Sequence, residues 1–116
     1  MTYTAKTGKL HRERNQRRAL IRILATSLVL KKRIKTTEAK AKSVRPFIER
    51  LVTVAKKNTP QSRRYIARYL PNDAVKILSE IIAPAHKERP GGYTRIIKIG
   101  TRTSDSSRMA FIEFVA

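Results

Sequence analysis

Arg14, Arg18 and Arg22 recur at four-residue spacing. On a helix turning about 100° per residue they share one side, about 200° from the row Leu20, Leu24, Leu28. Three permanent positive charges on one helical stripe are suited to neutralising phosphates. Around them, over positions 6–45, further cations alternate with hydroxyl and amide residues: Lys6, Lys9, Arg12, Arg17, Lys32, Arg33, Lys35, Lys40, Lys42 and Arg45, with Thr36 and Thr37 among them. Each phosphate so contacted on a duplex steepens the salt dependence of binding by about 0.9. A later group, Arg63, Arg64 and Arg68, stands beside Tyr65 and Tyr69.

Groups for covalent or acid–base chemistry are sparse. His11 and His86 have no acidic or thiol partner at ligand or triad spacing and read as surface residues. The eight carboxylates are scattered; Glu13, Glu38, Glu49, Asp73 and Glu80 read as capping or charge-balancing groups. The stretch Pro90-Gly91-Gly92-Tyr93 lacks the GxxxxGK of a phosphate loop and the GxGxxG of a dinucleotide fold. It precedes a β-branched run, which fits a turn with positive φ at Gly91 or Gly92. The residue types therefore predict no enzyme, no metal, no cofactor and no small-molecule substrate.

Charge points to a polyanion. The 116 residues carry 27 Lys and Arg against 8 Asp and Glu, a formal net charge of +19. Such a chain repels itself unless an acidic partner offsets it. The first 35 residues hold eleven cations and one acid, whereas residues 71–116 hold seven and five. The binding surface is thus expected toward the N-terminal end. Cysteine is absent, which excludes disulfides and thiolate metal sites. No run approaches the roughly 20 apolar residues of a membrane helix, and the N-terminus lacks the apolar core of a secretion signal, so no membrane partner is expected.

Hydrophobic spacing supplies the elements that must position these charges. A helix is expected from about Arg12 to Leu30, then a short strand at Ile34 to Thr36, with Thr36 or Thr37 capping the next helix. That helix buries Ala41, Val44, Ile48, Leu51 and Ala55; Pro46 predicts a kink near Lys42 to Pro46, or two abutting helices. Thr59 and Pro60 start a third helix, in which Tyr65 and Tyr69 read as packing more than as a stacking platform. Asn72 or Asp73 caps a fourth, with Ala74, Ile77, Leu78, Ile81 and Ile82 inward and Pro84 as its stop. Two strands follow, Tyr93 to Ile99 and Met109 to Val115, joined by a basic loop that includes Arg102. The expected fold is α/β (α+β) in two layers: a small mixed sheet of about three strands against helices. Residues 1–11 are expected as a basic extension ordered on its partner, RNA, and residues 12–116 as a single α/β RNA-binding domain. Tyr93, Arg95 and Lys98 are expected on an RNA-facing edge, with Ile97 and Ile99 fastening it to the core.

With those segments placed, the blocks RRALIRILATSL (17–28), RIKTTEAKAKSVRPFIERLVTVAKK (33–57), RRYIARYL (63–70), GGYTRIIKIG (91–100) and MAFIEFV (109–115) resemble the bacterial-type large-subunit ribosomal protein seventeen family. The resemblance implies a non-catalytic constituent of the large subunit, cytoplasmic in the ribosome. It would bind large-subunit ribosomal RNA near the nascent-chain exit side and adjoin neighbouring ribosomal proteins. It also implies RNA contacts at Lys9, Arg12, Arg17, Arg18 and Arg22, at Lys35-Thr36-Thr37 with Lys40 and Lys42, and at Gly91, Gly92, Tyr93 and Arg95. The competing class, a DNA-binding regulator or nucleoid protein, calls for a helix-turn-helix with a polar recognition helix, and the sequence has no evident pair of that kind.

Overall fold

A computed structural model describes residues 13–115; Lys6, Lys9, His11 and Arg12 lie outside them. The order is α1 (Arg14–Lys31), β1 (Arg33–Thr37), α2 (Glu38–Ala55), α3 (Pro60–Ala67), α4, β2 (Thr94–Thr101) and β3 (Arg108–Phe114). Helix α4 starts as Asn72–Ile77, widens into a π-helical turn at Leu78–Ile82 and closes with a single turn at Ala83–Ala85. Helices cover one face of a three-stranded sheet.

The sheet is wholly antiparallel, not mixed, in the order β1-β3-β2. β3 takes the centre because Ala110, Ile112 and Phe114 give it a fully apolar inner face. The edge strands carry Arg33, Lys35, Arg95 and Lys98, and charged edges discourage further pairing. Ile34 and Thr36 of β1 and Thr94 and Ile96 of β2 flank that centre, against α2.

Helix α2 forms the middle of the core. Ala41, Val44, Ile48, Leu51 and Ala55 are all buried, as their spacing predicts, and Val52 joins them. Thr37 caps it, its hydroxyl accepting from the Lys40 N–H at 3.3 Å, and Glu38 sits in the first turn. Pro46 does not divide it: one helix runs from Glu38 to Ala55. Lys42, whose carbonyl loses its helical donor, and Pro46 are both exposed, while buried residues on either side hold the axis together.

Thr59 and Ser62 form a reciprocal capping box around Pro60, as the start signal predicts. For α4 the expected caps do not form. Pro71 occupies the cap position without a side-chain bond, and Asn72 and Asp73 lie inside the helix. The widened turn also alters its buried face. Ala74, Leu78, Ile82 and His86 are buried, with Val75, Ser79 and Ala83 beside them, a repeat of four residues. A regular α-helix drifts about 40° over four residues, and a π turn takes up that drift. Ile81, expected inward, is 50% exposed, and Pro84 lies within the last turn.

His86, expected at the surface, is buried at the end of this row. Its Nδ1–H donates to the Ile82 carbonyl at 2.8 Å, and its ring meets the edges of Tyr93 and Phe114 at 5.6 and 6.0 Å between centroids. It closes the core between α4 and the sheet.

The entry to β2 is held by four residues on one side of α2. The Glu49 carboxylate accepts from the N–H groups of Tyr93 (3.2 Å) and Thr94 (2.8 Å) and from the Thr94 hydroxyl (2.7 Å). Arg45 donates to the Thr94 carbonyl, while Thr53 and Lys56 reach the Tyr93 hydroxyl at 3.2 and 3.1 Å. Gly92, with φ of +61°, turns the chain into this grip, so the positive φ falls on Gly92 and not on Gly91. Glu49→Ala leaves Tyr93 and Thr94 without their acceptor and is expected to lower stability by about 3 kcal/mol, read from the urea midpoint at unchanged slope. A loss under about 0.5 kcal/mol would show that the clamp is dispensable.

Candidate nucleic-acid interface

The N-terminal half of α1 stands clear of the core. Residues 13–16, 18 and 19 are exposed, and burial starts in earnest only at Ala25, Leu28 and Val29. Its arginines therefore project along one wall of an open groove whose other wall is the start of α2. Arg17, Arg18 and Arg22 line the first wall, Thr37, Lys42 and Ser43 the second, and Ser107 and Arg108 close the end where β3 begins. Ile21, Pro46, Phe47 and Tyr69 make an apolar floor.

The electrostatics of the groove are one-sided. Glu38 is its single acid and pairs with Lys42 at 3.3 Å. Arg17, Arg18, Arg22 and Arg108 form no ion pair among the described residues. Of the acids elsewhere, four are engaged: Glu49 at the clamp, Glu113 between Arg33 (3.1 Å) and Arg95 (2.6 Å), Glu80 on Arg63 (3.5 Å) and Asp105 on Arg102 (2.8 Å), while Glu13, Asp73 and Glu88 form no ion pair among the described residues.

Five of the predicted residues thus converge: Arg17, Arg18, Arg22, Thr37 and Lys42. A second cationic surface is the outer face of the sheet, where register aligns Arg33, Glu113 and Arg95 in one row and Lys35, Phe111 and Ile97 in the next. The Arg33 guanidinium lies 3.8 Å from the centre of the Phe111 ring. Lys98 is exposed on β2, next to a bulge between Lys98 and Gly100, but it pairs with Ala110 of the inner face, so alternation does not place it on the outer face with Arg95. Arg14 is exposed at the start of α1, Lys32 is its left-handed cap, Lys40 is half-buried, and Arg64 and Arg68 lie exposed on and after α3.

Several predicted contacts have other work. Thr36 points into the core at 8% exposure, because alternation along β1 places it on the same face as Ile34. Arg45 is spent on Glu49 and the Thr94 carbonyl. Tyr93 is 2% exposed and is not on an RNA-facing edge with Arg95: β2 begins only at Thr94, so strand alternation does not extend to Tyr93. The Thr53 hydrogen bond foremost, then Lys56, holds its phenol below the ordinary pKa against the upward push of burial. Ile97 and Ile99 are 38% and 41% exposed and fasten nothing; Ile96 packs inward instead. Tyr65 and Tyr69 pack edge to face at 5.5 Å, the packing role the sequence favoured.

Sequence reasoning did not find Arg108, Ser107 and Ser43, nor the floor under them. No local pattern marks Arg108, which is 90 residues from Arg18 and reaches the groove only because β3 pairs with β1. The turn before it is held by Asp105, which accepts from Arg102 through both oxygens (3.0 and 2.8 Å) and from the Ser107 N–H (3.1 Å).

The sequence profile of the family described as ribosomal protein L17 matches residues 20–115. A relative from Akkermansia muciniphila named large ribosomal subunit protein bL17 is 48% identical, over 99% of this chain and 85% of its own length. Proteins of the same name from Shouchella clausii and Sulfurihydrogenibium are 46% and 47% identical, over 93% and 99% of this chain and 98% and 97% of theirs.

Arg102, foremost, holds the Asp105 carboxyl well below the usual carboxylate range. A depressed acid contributes its full stabilisation above its unfolded pKa and loses it progressively as pH falls from there through the depressed value, while its own protonation in the folded state waits for that lower value. The Ser106 and Ser107 amide resonances are therefore expected to stay constant from pH 7 down to about 4 and to move only well below it. Movement centred near pH 4 would show that the Arg102 fork does not hold in solution.

Proposed function

The chain belongs to the ribosomal protein L17 family, and from that premise we propose that it is a structural constituent of the large ribosomal subunit, supporting translation by binding and stabilising large-subunit ribosomal RNA. Its partners are that RNA and neighbouring ribosomal proteins, its place is the ribosome of the cytoplasm, and it performs no catalysis. The observation that carries the RNA contact is the groove between α1 and α2, where arginines with no ion pair among the described residues face an opening with one, already neutralised, acid.

On this reading RNA supplies the charge the chain lacks. Arg17, Arg18, Arg22 and Arg108 contact phosphates along the groove, and Arg33, Lys35 and Arg95 offer a second line across the sheet. Thr37 and Lys40 act mainly through the start of α2, and Gly91 and Gly92 through the turn into β2. Lys6, Lys9 and Arg12, outside the described residues, add further cations for the same RNA. Rigidity matters here, because folded RNA is recognised largely through shape and backbone.

A tagged copy is expected to sediment with the large subunit and to crosslink to its RNA; recovery with chromosomal DNA alone would overturn the proposal. In a salt titration on large-subunit RNA, Arg18→Ala with Arg22→Ala is expected to lower the slope of log affinity against log salt by roughly 1.5, about two phosphate contacts. An unchanged slope would mean that this stripe faces only solvent. Equal affinity for duplex DNA at physiological salt would favour a DNA-binding role.

A further inference from the structure

The groove has a feature that phosphate binding does not require. Cations alone bind a backbone, yet here they surround a floor of Ile21, Pro46, Phe47 and Tyr69. The space is about 1280 Å³, more than the roughly 300–1,000 Å³ of sites that enclose drug-sized ligands. Tyr69 is fixed by three neighbours: Phe47 meets it edge to face at 5.5 Å and 85°, Tyr65 packs on it at 5.5 Å, and the Arg22 guanidinium lies 5.4 Å from its ring centre. Both aromatic residues are only partly buried, so apolar surface remains open at the bottom of a cationic cleft.

We infer that this groove receives an unpaired nucleobase of the bound RNA, with the base on the Phe47, Tyr69 and Pro46 floor and its flanking phosphates on Arg17, Arg18 and Arg108. This rests on the RNA-binding reading above and goes further, because it names a single-stranded element as the ligand. In a duplex the base faces are stacked on one another and cannot reach such a floor. Bases splayed from loops and bulges stack on aromatic rings and guanidinium planes. Arg22 serves both ends, stacking with the base and neutralising charge. The hydroxyls of Ser43 and Ser107 line the walls where the polar edge of a base would come to rest. An apolar protein segment is the weaker fit, since Arg17, Arg18, Arg22 and Arg108 would then be covered without an acid to meet them.

The test compares two variants of the full chain bound to large-subunit ribosomal RNA. Ser43→Trp fills the groove without removing a residue of the core, and Tyr69→Leu removes one of the two aromatic rings of the floor while keeping an apolar group. Each is expected to weaken binding roughly tenfold, the scale of one lost base stack, with no change in salt slope. Chemical probing should show one or a few unpaired nucleotides becoming reactive while the remaining footprint persists. Unchanged affinity with unchanged base protection in Ser43→Trp would overturn the inference while leaving the RNA-binding reading intact. Absence of any wild-type footprint would instead overturn that reading, and this inference with it. A photo-crosslinker placed at Ser43 should capture RNA in assembled subunits; capture of a peptide would assign the groove to a protein neighbour.

Discussion

The Glu49 carboxylate joins the two layers. Helix α2 carries the core, but apolar contact alone would let the sheet slide against it, since hydrophobic attraction is not directional. Glu49 supplies direction by accepting from two successive N–H groups and a hydroxyl where the chain leaves Gly92. Arg45, Thr53 and Lys56 lie on the same side of the helix, at spacings of four, four and three residues, and secure the adjoining atoms. With β2 placed, its register with β3 follows, and β3 in turn places β1. The position of β1 sets where α2 begins, so the α2 wall of the groove depends on a contact about two turns further along the same helix.

A chain with more than three cations for each acid has few carboxylates to spend, and their placement is informative. Glu49 orders a strand, Glu113 separates two arginines on the sheet, Asp105 closes a turn and Glu38 sits at a helix start. Each serves geometry where cations would otherwise repel. The groove is left positive. Its arginines gain most from an external anion, because no acid among the described residues has to be displaced first.

The helices were largely legible from the sequence, because their buried faces follow a regular period and their starts carry side-chain signals. Ala41 through Ala55 on α2 and the Thr59-Pro60 start of α3 are examples. Legibility failed where the backbone left that period. The π turn in α4 turned Ile81 outward and brought His86 into the core, and a 3.6-residue pattern cannot show this. At Pro46 the alternative of two abutting helices failed, because a local penalty was outweighed by burial along the other side of the helix. Tyr93 was misplaced because its neighbours, read as a strand, suggested an alternation that starts only at Thr94.

Composition and local pattern were enough to determine that this chain seeks a polyanion, that it alternates helices and strands in this order, and that a glycine turn leads into β2. Those properties depend on charge number, short-range periodicity and the φ preference of single residues. Which cations face the anion was decided only by the tertiary structure. Arg18, Lys42 and Arg108 come together through strand pairing and helix packing across long stretches of chain. Arg45 and Tyr93, equally prominent in the sequence, are engaged by Glu49, by the Thr94 carbonyl and by the Thr53 hydroxyl, which the fold brings together, while Arg102 is held locally by Asp105. A side chain's availability depends on its nearest neighbours in space, and for these residues most of those neighbours are distant in sequence.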